Sequence, residues 1–140
     1  MIHFNWKKSY ETGIREIDLQ HRELFRIANK YYNVLFSDAF TPDNKMLLRI
    51  LKELKHYSDF HCRYEKDFYS DDIVKEYFDV ENMLAERINV LVSNYKENDI
   101  VALYGFAEFL RKWLLNHILI LNKSDFRNIL RKELINLSCN

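Results

Sequence analysis

Tyr57-Ser58-Asp59-Phe60-His61-Cys62-Arg63-Tyr64-Glu65 carries a histidine and a glutamate four residues apart. One helical turn separates positions i and i+4, so on a helix the imidazole of His61 and the carboxylate of Glu65 point to the same side. Two further histidines, His21 and His117, occupy corresponding places in other segments with helical periodicity. A helix bundle builds an internal metal site in this way, by projecting histidines and carboxylates from facing helices into one core. A buried ionisable group is costly there unless it is paired or metal-bound. His21, His61, Glu65 and His117 are therefore the candidate metal ligands.

Only 2 Gly and 1 Pro interrupt the 140 residues, which suits long helices joined by short connections. Hydrophobic residues make up 48% and aromatics 15%, enough to fill one core at this size. Lys plus Arg and Asp plus Glu both number 21, and this neutrality speaks against nucleic acid or an anionic membrane as partner. No run approaches a membrane span and the N-terminus has no apolar signal region, so the expected location is cytoplasmic. Cys62 and Cys139 are too few and too poorly placed for a disulfide framework. Cys62 lies about 100° round the helix from His61 and reads as a small core residue.

Along the chain, an extended aromatic arm is expected to about residue 12, then helices over about Asp18 to Phe36, Thr41 to Tyr69, Asp72 to Lys96 and Asp99 to Leu121. Thr41-Pro42-Asp43 is a helix opening: Thr caps the free amides, Pro fits the first turn and Asp suits its positive end. Asn98 or Asp99 caps the fourth helix. Ser124-Asp125 starts a further helix whose Phe126, Ile129, Leu130, Leu134 and Ile135 recur at helical spacing. The expected organisation is a bundle over 1–122 and a C-terminal helical extension over 123–140, packed on the bundle or forming a homodimer contact.

Phe4, Trp6, Tyr10, Gly13-Ile14, Ile17-Asp18, His21, Leu24-Phe25 and Asn29 resemble the opening of a hemerythrin domain, in which an aromatic arm leads to Gly-Ile-x-x-Ile-Asp-x-x-His. Tyr57-x3-His61-x3-Glu65 resembles the family's second segment, and Trp113-Leu114-Leu115-Asn116-His117-Ile118 the third. These segments run in family order over roughly residues 4 to 122. The resemblance implies an all-α, up-down-up-down four-helix bundle holding two non-haem irons bridged by carboxylates, with O2 bound reversibly at one of them. It assigns His21 and His61 to the O2-binding iron, Glu65 to a bridge and His117 to the other iron.

The chain departs from that pattern at three places. The family's third helix supplies two histidines four residues apart, and aligning Tyr77-Phe78 and Glu86 with the pattern puts Met83 and Arg87 there. A slip of one residue offers Asn82 and Glu86 instead. The bridging aspartate expected five residues beyond His117 is replaced by the uncharged Asn122, and Asp125 lies too far along. In the family register the Arg87 guanidinium enters the core and pairs with Glu65, standing in for the missing ion's charge; otherwise Arg87 snorkels outward over apolar surface. Tyr57 and Trp113, one turn before His61 and His117, are expected to close the core or to support the ligands. His3 and His56 match no family position.

Three functions follow from these residues: an altered di-iron hemerythrin that binds O2, a one-metal site that takes O2 or another small diatomic ligand, and a metal-free bundle with an interaction or regulatory role. Two histidines and a carboxylate with open positions suit non-haem iron, though such a set also accepts zinc. The chain offers no nucleophile beside a base, no phosphate-cradling glycine loop and no carboxylate pair with hydrolase geometry, which points to a binding protein rather than an enzyme.

Overall fold

Helical periodicity becomes four long helices in the computed structural model, which describes residues 4–37, 42–67, 71–96 and 99–121, the side chains of 71–81 and 119–121 excepted. They are α1 (Arg15–Leu35), α2 (Asn44–Lys66), α3 (Asp71–Ser93) and α4 (Ile100–Leu121). α1 packs on α2, α2 on α3, α3 on α4 and α4 back on α1, which closes a four-helix bundle. Among the described residues there is no strand, and no helix is long and apolar enough to cross a membrane. Asn122, Asp125, Cys139 and the expected C-terminal helix, with its packing or dimer contact, lie outside the described residues, as do His3 and Thr41.

The helix starts differ from expectation in ways that side-chain chemistry explains. α1 begins three residues before Asp18, whose carboxylate reaches back to accept from Thr12 N (2.8 Å), Thr12 Oγ1 (2.9 Å) and Gly13 N (3.3 Å). The acid thus ties the arm to the positive end of the helix. Gly13, at φ +87°, makes the turn that a side-chain-bearing residue would strain to adopt. On α2 the cap is Asp43, which accepts from Met46 N at 3.1 Å. Asp99 caps α4 by accepting from Ala102 N at 3.2 Å.

The arm contains one turn of 3-10 helix, Lys8–Tyr10, rather than being extended throughout. Asn29 holds it to α1 by accepting from Phe4 N (2.7 Å) and donating to Phe4 O (3.0 Å). Phe4 then packs edge-on to Tyr32, and Trp6 edge-on to Phe25. The core below is apolar: Leu47, Leu51 and Leu54 of α2 and Leu103 and Leu110 of α4 are fully buried, each contributing about 1.5–3 kcal/mol. Tyr31 crosses it to donate to Leu103 O at 2.9 Å.

α3 is rotated relative to the expected register. Met83 is 51% exposed, and Asn82, Glu86 and Arg87 are exposed as well, while Leu84 and Ile88 face the core. Neither the Met83/Arg87 register nor the Asn82/Glu86 slip therefore describes this helix. The expected Arg87–Glu65 pair does not form: the guanidinium lies over the Phe109 ring, 5.1 Å from its centroid, at a groove of about 510 Å³ between α3 and α4. A cation outside and two aliphatic side chains inside is the cheaper rotation.

Candidate metal centre

His21 continues the buried stripe Ile17, Leu24, Ala28 of α1; His61 and Glu65 continue Leu47, Leu51, Leu54, Ser58 of α2; His117 continues Leu103, Leu110, Leu114 of α4. Each polar group is thus carried inward on the face that its helix must bury. The four side chains meet in one place. His61 Nε2 lies 2.6 Å from Glu65 Oε1, His21 Nε2 3.2 Å and His117 Nε2 3.6 Å from the same oxygen. His117 Nε2 is 2.9 Å from His21 Nε2 and 3.0 Å from His61 Nε2. One ligand atom from each lies within 4.8 Å of all the others, and the side chains of His21, His61 and Glu65 are 0% exposed.

This convergence is difficult to satisfy with protein atoms alone. Lone pairs of ring nitrogens repel at such distances unless a proton or a cation lies between them, and a neutral imidazole has one proton to share between two nitrogens. Contacts of 2.9 and 3.0 Å between nitrogens are near the edge of roughly 3 Å between donors set at right angles around an ion at ~2.1 Å, and shorter than the roughly 3.4 Å of a tetrahedral set. Glu65 Oε2 is buried with no hydrogen-bond partner among the described residues. Three imidazoles and one carboxylate with a spare oxygen are therefore a donor set that could hold a metal ion.

Electrostatics agrees with a cation-binding cluster. Burial pushes His21 down to about 3; its hydrogen bond with Glu65 works in the opposite direction, while His117 and His61 push it lower still. His21 is therefore neutral, with a lone pair to offer. Burial alone would raise Glu65, but His61 and His117 outweigh it and hold the carboxyl well below its usual range. The site thus offers an anion and neutral nitrogen together.

The surrounding residues differ from expectation in one respect. Trp113 is buried and stacks on His117, with ring centroids 5.0 Å apart and 18° between planes. Tyr57, expected to close the core or to support His61, is half-buried and packs against the core beside Phe60, with Glu23 and Arg26 as its charged neighbours. The group that touches His61 is Gln20, whose Oε1 lies 2.7 Å from His61 Nδ1. Sequence inspection missed Gln20 because it precedes His21 and draws attention only as a neighbour. Its signal was a polar residue at position i+3 from Ile17 on the buried face. His56 is exposed and Cys62 is half-buried.

On the described part of α3, Leu84 and Ile88 are the buried side chains. Lys55 Nζ donates to Asn89 Oδ1 (2.7 Å), which ties α2 to α3 at the surface. Among the described residues the cluster therefore draws on α1, α2 and α4 only.

No known family model matches the chain. The chain is similar to the bacteriohemerythrin of Clostridium acetobutylicum, 31% identical over 122 residues that span 83% of this chain and 93% of that protein. Likeness of that depth over nearly the full length of both, on a four-helix bundle with histidines and a carboxylate gathered in its core, means that this chain belongs to the hemerythrin family.

Proposed function

We propose that the chain is a non-haem iron-binding hemerythrin with a one-metal site, held by His21, His61, His117 and Glu65, that binds or senses O2 or another small diatomic ligand. The observation that carries this reading is the meeting of three Nε2 atoms from three helices on one oxygen of Glu65. Iron there would supply open coordination positions for a small ligand. The protein's part is to present imidazole nitrogens and a carboxylate in fixed geometry and to keep bulk water away, since none of the four is more than 1% exposed. Enclosure of that degree favours a ligand of diatomic size over a larger metabolite.

Two-electron O2 carriage draws one electron from each of two irons, and the apolar Leu84 and Ile88 favour a single ion instead. The metal-free alternative drew on an Arg87–Glu65 pair, and Arg87 stacks on Phe109. Metal analysis of freshly purified, untagged protein, kept anaerobic, tests the reading. About one iron per chain is expected, with a melting temperature that falls on chelation, because an ion bound only by the folded state must stabilise it. Two irons with an oxo-bridge absorption would restore the di-iron reading; no metal and no chelator effect would leave the metal-free bundle.

A further inference from the structure

The three imidazoles of the cluster are not held alike. His117 is braced by the face of Trp113, and His21 Nδ1 is buried without a hydrogen-bond partner among the described residues. His61 has its outward nitrogen met by a buried side-chain amide, Gln20 Oε1 at 2.7 Å. Gln20 is 7% exposed and sits on α1 immediately before His21, whereas His61 is on α2.

We infer that Gln20 is the positioning residue of this centre: its amide oxygen accepts the Nδ1–H of His61 and so keeps the Nε2 lone pair of His61 aimed into the cluster. The inference rests on the metal-site reading for its purpose, but not for its geometry. An amide oxygen only accepts, so the contact at 2.7 Å draws the proton to Nδ1 against the competing pull of Glu65 Oε1 on Nε2. That proton assignment leaves Nε2, 2.6 Å from Glu65 Oε1, as the atom that faces a cation. With the proton on Nε2 instead, His61 would donate to Glu65 and have no lone pair to offer the site. The amide thus selects the imidazole form that binds metal, in the way that partners beyond the ligands orient metal-bound histidines elsewhere. Because Gln20 and His21 are adjacent on α1, any shift of α1 against α2 moves a ligand and the brace of a second ligand together.

The test uses the full chain with 15N-labelled histidine. In wild-type protein without metal, His61 Nδ1 should carry a proton protected from solvent exchange. Gln20→Met, of similar length and without an acceptor, should lose that protection, and Gln20→Glu should restore it. Zinc(II), a diamagnetic probe, should bind about 10–100-fold more weakly to Gln20→Met than to wild type and recover in Gln20→Glu. A bare Nδ1 in wild-type protein overturns the inference, and this holds even if Gln20→Met does not fold. So does a Gln20→Met variant with the protected proton and zinc affinity of wild type. If the proton depends on Gln20 while wild type binds neither zinc nor iron, the positioning inference stands and the metal-site reading fails.

Discussion

α2 and α3 are antiparallel neighbours of equal length, 23 residues each, yet they bring opposite chemistry to the shared core. α2 buries Ser58, His61 and Glu65 at its C-terminal end, while the described part of α3 buries Leu84 and Ile88. Both helices satisfy the same requirement, that the inward stripe be removed from water. They do so by different means: α2 gathers its polar groups into a cluster that α1 and α4 complete, and the described part of α3 turns Leu84 and Ile88 inward. A buried polar group is tolerated where its partners converge on it, and a neighbouring helix without such partners stays apolar. Among the described residues the centre is furnished from three walls of the bundle.

The sharpest way to break this contrast is to remove the α2 donor. His61→Ala should abolish metal binding, taking the content from about one ion per chain to less than about a tenth, since loss of a supporting partner alone weakens such sites 10–100-fold. Metal retained at wild-type affinity, measured by elemental analysis and calorimetry, would take α2 out of the assignment. The α3 side should respond through packing alone: Leu84→Ala is expected to cost about 2–5 kcal/mol in urea unfolding, the range for a fully buried leucine.

Acid should separate the polar end of the core from the apolar one. His21 is held down to about 3, chiefly by burial, from an ordinary value of 6.5. Between those values the unfolded chain takes up a proton that the folded chain does not, so this contribution to stability is complete above about 6.5 and declines as the pH falls towards 3. Melting temperatures of the metal-free protein from pH 8 to 4 should follow that slope, and His21→Leu should flatten it. A wild-type curve level across this range would contradict a neutral buried His21.

The smallest effects are expected on the outer face of α3. Met83→Ala and Arg87→Ala should each change stability by no more than about 0.5 kcal/mol, as for exposed sites elsewhere. Had Arg87 entered the core beside Glu65, its removal would strand a buried carboxylate and cost about 3–5 kcal/mol. Equilibrium unfolding of Arg87→Ala therefore discriminates directly between the two rotations of α3.

Much of this was legible in the chain before any tertiary contact was considered. His61 and Glu65 declare a shared face through their i, i+4 spacing, and His21 and His117 lie on apolar stripes of their own, so the helices and the four candidate ligands follow from local periodicity. Helix ends were less legible. Asp18 reads as a start, yet its carboxylate caps the preceding arm from inside the first turn. Gln20 was not legible because the group that reaches His61 comes from the adjacent helix, and spacing within one helix says nothing about that.

The sequence by itself determined four amphipathic helices, the inward faces of α1, α2 and α4, and the donor types available to an ion, because one turn of helix fixes which residues share a side. Only the tertiary structure decided the rotation of α3, the brace on His61 and the gathering of three ring nitrogens at one carboxylate oxygen. A shift of a single residue turns a helix face by about 100°. For α3 that choice lay between burying Leu84 and Ile88 and burying the Arg87 cation, and it was settled by which side chains the neighbouring helices could keep dry.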